Sequence, residues 1–286
     1  MSGYIELETG KEKIIVMPLQ PETERQGGGI GLGLHFLLGN LFCLHPGLLE
    51  CWFGWRVKKI FPKPSELITY CHGGHPFQEI NKLGQREKVR FWVEGTYKGQ
   101  DEALLVEVVL HDTRDDVRFD KTFQLDREEG VSGFRKSFLE WLDDIGLGLG
   151  TGGNQKAQWF EPISLDGLNY LGRALQTLYI NYVDGTGAPI DLENFEKSAS
   201  LCPDSYLTQD LLGWGLYKNE LHDRAYAAFS TARSLNPDGL GALSGLMWCA
   251  VTAQDRKNAL KYALEKGRCR DEDPQKAKTF VDKKFA

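Results

Sequence analysis

Neither common phosphate-binding signature is present in this chain. No Gly-Lys-Ser or Gly-Lys-Thr occurs anywhere, which removes the Gly-x-x-x-x-Gly-Lys-Ser/Thr loop. The glycine-rich stretch "GGGIGLGLHFLLGNLF", Gly27 to Phe42, comes closer to a dinucleotide fingerprint but misses its spacing. Gly29, Gly31 and Gly33 alternate, and Leu34 stands where the third fingerprint glycine belongs. A polar insert, Gln20 to Gln26, also parts it from the apolar run "KIIVMPLQ". Cysteine pairing signals are missing too. The six cysteines (Cys43, Cys51, Cys71, Cys202, Cys249, Cys269) include no C-x-x-C. The "CHGGH" stretch (Cys71, His72, His75), taken with Cys43, His45 and Cys51, is the only clustered set of metal-type residues. It lacks the paired spacing of zinc sites, so ordinary buried thiols are expected and no metal.

Positive charge is scarce as well. Net charge is −6, and before the final "DKKFA" no basic run exceeds the pair Lys58-Lys59. That excludes the clustered basic face a nucleic acid requires. A clean membrane run is missing. Gln26 to Leu49 spans 24 residues without Asp, Glu, Lys or Arg, long enough to cross a bilayer. However, it contains His35, Asn40, His45, Pro46 and five glycines before His35. A helix packed on both faces, a turn at "HPG" and a strand account for it better, so no membrane contact is expected. The polar opening "MSGYIELETGKEK" has no apolar h-region, and with reduced thiols it makes the cytoplasm the expected location. No third group can be found to orient a Cys71–His pair, and the acidic pairs in "DDVRFD" and "WLDD" sit at element ends. No catalytic residue, no cofactor and no enzymatic activity are therefore expected.

The chain is long enough for two domains, with 41% hydrophobic and 26% charged residues, as in globular proteins. "GLGLGTGGNQ", Gly146 to Gln155, reads as a linker and predicts a boundary near residue 150. Residues 1–150 then form an α+β domain in the order β-α-β-α-β-β-β-α, a mixed sheet with helices against it. The strands are expected at 13–19, in "LLECWFGWRVKKI", in the hairpin "VRFWVEGTYKG"/"ALLVEVVLHDT", and at 117–125. The helices are expected at 30–42, from "KPSELITYC" with Ser65 as cap, and along Phe134, Phe138, Trp141, Leu142 and Ile145. The phrases "IIVMPL" and "VEG" resemble the opening strand and hairpin start of the amino-terminal α/β domain of TolB and its bacterial relatives. That resemblance covers roughly residues 13–145. It implies that the segment after the first strand is a structural helix.

Residues 151–286 are expected to form an all-α domain. Phe195/Phe229, Pro203/Pro237 and Trp214/Trp248 are each 34 residues apart. "LLGWGLYKNELHDRAYAAFSTARSLNP" supplies Leu212, Gly213, Leu216, Ala225, Phe229, Ala232 and Pro237 at the signature positions of a tetratricopeptide repeat, which it resembles. Units are expected near 172–205, 206–239 and 240–273, with "DPQKAKTFVDKKF" as a capping helix. The resemblance implies a groove lined by Arg173, Gln176, Ile180 and Val183, then Leu207, Asp210, Trp214 and Tyr217, then Gly241, Ser244, Trp248 and Val251. It places Ile180, Trp214 and Trp248 in one column.

A non-enzymatic scaffold or adaptor follows, holding a protein or peptide partner through Arg173, Gln176, Ile180, Asp210, Trp214, Tyr217, Ser244 and Trp248. The two tryptophans could equally pack against this chain's own amino-terminal domain or a second copy, giving a homo-oligomer. The alternative is a regulatory sensor whose α/β domain binds a small ligand near the glycines.

Overall fold

A computed structural model describes residues 5–7, 11–22, 29–50, 53–73, 89–99, 103–126, 131–148, 162–185 and 187–286. They divide into two compact units, Met1–Pro189 and Ile190–Ala286.

The first unit is a mixed sheet with helices. Its strands are β1 (Glu12–Val16), β2 (Gln20–Pro21), β3 (Leu48–Glu50), β4 (Phe91–Lys98), β5 (Ala103–Asp112) and β6 (Val117–Asp126). The order across the sheet is β3-β1-β4-β5-β6, with β2 also pairing β4. β1 runs parallel to β3 and β4, while β4, β5 and β6 form an antiparallel meander. The period-2 pattern sets the register. Val93 faces Leu110, and Leu110 faces Phe119. Leu104, Val106, Val108 and Leu110 are buried, whereas Arg118, Asp120, Thr122 and Gln124 are exposed.

On the apolar face lie α1 (Ile30–Phe42) and α4 (Val131–Asp144). Phe42 meets Phe138 edge-on at 4.9 Å, and Phe123 of β6 meets Phe134 at 5.2 Å. These T-shaped pairs are the arrangement ring quadrupoles favour. On the other face Trp92 stacks on His111 at 3.9 Å, and His111 Nε2 lies 3.1 Å from Glu94. Buried Arg90 ties one end of the sheet together. It donates to Asp112 through Nε (3.0 Å) and Nη2 (2.7 Å), and to the Glu6 carbonyl through Nη1 (2.9 Å). A buried guanidinium persists because it is paired and bonded in this way.

Three expectations change. Among the described residues of "LLECWFGWRVKKI", only Leu48–Glu50 is strand. Phe53–Ile60 forms a helix, α2. Val57 and Ile60 are buried while Lys58 and Lys59 are exposed, a three-residue step that suits a helix. The next helix, α3 (Pro64–Cys71), is entered from Lys63 with Pro64 in its first turn, so Ser65 lies inside it and is not the cap. Third, α5 (Leu165–Asp184) belongs to the first unit, so the division falls after Pro189. Of the glycine segment near 150, residues 149–155 lie outside the described residues.

Glycines explain why α5 packs there. A Cβ on Gly172 of α5 would overlap the carbonyl of Gly29, and one on Gly29 would overlap the backbone at Gly172 and Arg173. A Cβ on Gly33 would come within 2.7 Å of the Leu168 carbonyl. The backbones touch because neither helix carries a side chain at the crossing.

The second unit is all-helical: α6 (Leu192–Leu201), α7 (Tyr206–Lys218), α8 (His222–Leu235), α9 (Leu240–Thr252), α10 (Arg256–Cys269) and α11 (Pro274–Phe285). α7, α9 and α11 start 34 residues apart, as do α8 and α10. The turns repeat as well. Leu221 N–H donates to the Leu216 carbonyl at 3.0 Å, and Asp255 N–H to the Ala250 carbonyl at 2.8 Å. Glu220 and Gln254, again 34 apart, both take left-handed φ, at 62° and 56°. Phe229 fills the seam between pairs. A Cβ on Gly213 would sit 2.6 Å from its ring, and one on Gly245 would also strike it. The segment expected as a first unit, 172–205, is not one helical pair. It begins inside α5 and ends after α6, and the two lie on either side of the division.

Candidate interaction face

α7 and α11 begin at side-chain caps, and α9 begins after Gly239. Ser205 caps α7 by accepting from the Thr208 N–H at 3.1 Å. Asp273 caps α11 by accepting from the Gln275 N–H at 2.9 Å, with Pro274 in the first turn. These starts place residue nine of α7 and of α9, Trp214 and Trp248, at matching positions.

Both tryptophans are half-buried. Trp214 meets the buried Phe229 edge-on at 5.2 Å and Tyr217 at 6.0 Å. The Tyr217 hydroxyl lies 2.9 Å from Thr252 Oγ1, joining α7 to the end of α9. Trp248 meets Phe280 of α11 edge-on at 5.7 Å, and Lys284 Nζ sits 5.0 Å above its ring. Val251, also half-buried, packs against the same core. The capping helix therefore adds a lysine and a phenylalanine to the face. Sequence reasoning missed both, although the start of α11 at the 34-residue step was a signal for them.

Asp210 and Ser244 do not lie on the exposed part of this face. Both are buried, with Asp210 only 3% accessible. A Cβ on Gly241 of α9 would overlap the Asp210 carboxyl, so the acid occupies the space this glycine leaves. The Tyr206 hydroxyl faces Asp210 Oδ2 at 3.4 Å. Burial raises the Asp210 carboxyl from its ordinary value to about 7, with Tyr206 acting weakly the other way. Leu207 is buried too.

Arg173, Gln176 and Ile180 lie on α5 in the first unit. Arg173 is exposed, with its guanidinium 6.0 Å above the Tyr170 ring, and Gln176 and Ile180 are half-buried. Trp214, Tyr217 and Trp248 all lie in the second unit, each packed against its core. Ile180 belongs to the other unit.

In the glycine segment, Gly29 and Gly33 are taken up by contact with α5, and a Cβ on Gly31 would overlap the Leu19 carbonyl. His35, on the same helix, is fully buried with Nε2 3.1 Å from the Tyr179 hydroxyl of α5. Among the described residues, no group of three His, Cys, Asp or Glu is placed to hold a metal. Cys51 and His75 lie outside them. Among the described residues, no helix is long and apolar enough to cross a membrane.

The chain matches no protein-family model and no curated protein.

Proposed function

We propose that this chain is a non-enzymatic scaffold that holds an apolar segment of a protein or peptide partner. The second unit would act as a tetratricopeptide-type array and present Trp214, Tyr217, Trp248 and Val251. The observation that carries this reading is the pair of half-buried tryptophans at the same position of successive helical pairs, Trp214 against the buried Phe229 and Trp248 against the half-buried Phe280. Half-exposed aromatics on a rigid support are what binding hot spots use, since a partner can bury them at little cost in side-chain entropy. The Lys284 ammonium over Trp248 adds a positive edge that a partner carboxylate would meet. The sheet unit would serve as a second binding or assembly surface.

The double variant Trp214→Ala/Trp248→Ala tests this. Truncating such anchors weakens binding by roughly 2 kcal/mol or more each. Co-purification of the partner from the protein's own cells should be lost while helicity and the cooperative melt persist. Tyr226→Ala, at an exposed residue of α8, should retain the partner. A folded double variant that still carries the partner would place the interface elsewhere.

A further inference from the structure

The first turn of α9 has no side-chain cap of its own. Gly239 stands at its N-cap, and the N–H groups of Gly241 and Ala242 donate instead to the Tyr206 hydroxyl oxygen of α7. That hydroxyl also faces Asp210 one turn along α7, at 3.4 Å from Oδ2. Asp210 Oδ1, buried, has no hydrogen-bond partner. Gly239 and Gly241 make the fit possible, because a Cβ on the first would overlap the Tyr206 ring and on the second the Asp210 carboxyl. Two successive helical pairs thus meet at one hydroxyl and one carboxyl.

Among the described residues, no counter-charge reaches that carboxyl. α9 contains no charged residue. On α6, Glu193, Glu196 and Lys197 are exposed. On α8, Asp223 and Arg224 are exposed, Arg224 pairs with Glu196, and Arg233 pairs with Glu265. His222, half-buried, lies beside Tyr217 at 5.2 Å. In the flanking turns Asp204 is exposed, and Asp238 lies 3.9 Å from Arg268. Among the described residues, Tyr206 is the titratable group that acts on Asp210, and burial is the larger influence.

We propose that Asp210 is a proton-dependent latch between the two helical pairs: neutral, it lets the start of α9 seat on Tyr206, and ionised, it puts an uncompensated charge in the seam and loosens it. The unfolded chain gives up this proton near pH 4, as ordinary carboxyls do, whereas the folded chain keeps it to about pH 7. Between those values the folded state binds the extra proton. The latch therefore stabilises most below pH 4, and its contribution is lost as pH rises to about 7. This inference stands apart from the partner-binding reading, since it concerns only contacts inside the second unit.

The test is a thermal melt of the full chain at pH 5 to 8.5, comparing wild type with Asp210→Asn. The melting of the helical unit in wild type should fall by about 5 °C or more as pH rises from 5.5 to 8. Asp210→Asn should lose that fall and melt above wild type at pH 8. An unchanged pH slope in Asp210→Asn would overturn the latch. Should that variant not fold, the carboxyl-carbon NMR signal of Asp210 in wild type decides. A midpoint near neutrality supports the latch, and titration below pH 5 overturns it.

Discussion

Gly172→Leu is expected to unfold the sheet unit. The obstacle at this position is backbone. A Cβ at Gly172 would overlap the Gly29 carbonyl, and the next atoms of a leucine would have to enter the same seam. Overpacking that side chains can relieve costs about 1–3 kcal/mol. Here the two helix backbones must part instead, and with them the neighbouring contacts of Gly33 with Leu168 and of His35 and Phe36 with Tyr179. The loss should exceed about 3 kcal/mol, a large part of the stability of an ordinary domain. Far-UV circular dichroism and a urea titration would show it as lost strand signal or a much lower midpoint. Gly267→Ala is the control. A Cβ there meets nothing nearer than 4.0 Å, so the helix gains about 0.5–1 kcal/mol from alanine. A Gly172→Leu variant with wild-type stability would mean that α1 and α5 do not cross where described.

The second large effect is acid sensitivity of the same unit. Full burial holds the His35 imidazole neutral and lowers its pKa from 6.5 to about 3, with the Val16 carbonyl pulling weakly upward. The unfolded chain takes up a proton below pH 6.5 that the folded chain refuses until about pH 3. Stability is therefore complete above pH 6.5 and drains away as pH falls between those values, by about 5 kcal/mol in all. A buried His35→Gln, which keeps a polar group near Tyr179 but cannot charge, should remove most of that slope. Near-UV circular dichroism from pH 7 to 3 would follow it. An imidazole NMR titration of His35 with a midpoint near 6.5 would contradict the assignment. The helical unit has the opposite sign through Asp210, so acid should weaken one unit and mild base the other.

Much of this architecture was legible in the sequence because strong periodicities report burial directly. Ile30–Phe42 is the helix expected there, and the hairpin and third strand fall where alternation put them. The starts of α7 and α9 coincide with the expected repeat edges at Tyr206 and Leu240. Phe53–Ile60 was harder, because a short apolar run with bulky residues suits a strand and a helix equally. The division after Pro189 was hidden for another reason. Local glycine content flagged residues 146–155, but the choice was made by a distant contact, Gly29 on Gly172, and two glycines 143 positions apart carry no shared pattern. Asp210 was misplaced because the repeat resemblance assigned it to the groove by its place in the unit. The empty volume at Gly241 on the next helix draws it inward. Trp214 and Trp248 were picked out as a candidate pair by their spacing. The contacts of Trp248 with Phe280 and Lys284 were not, since they depend on where α11 lies.

Hydrogen exchange on the full-length protein, with and without its co-purified partner, tests the partner-binding reading most directly. Amide exchange reports which elements a partner covers or rigidifies. The account predicts slowed exchange in α7 and α9 around Trp214, Tyr217, Trp248 and Val251, and in α11 around Lys284. Unchanged exchange across those helices in the bound protein, with slowing confined to the sheet unit, would contradict it.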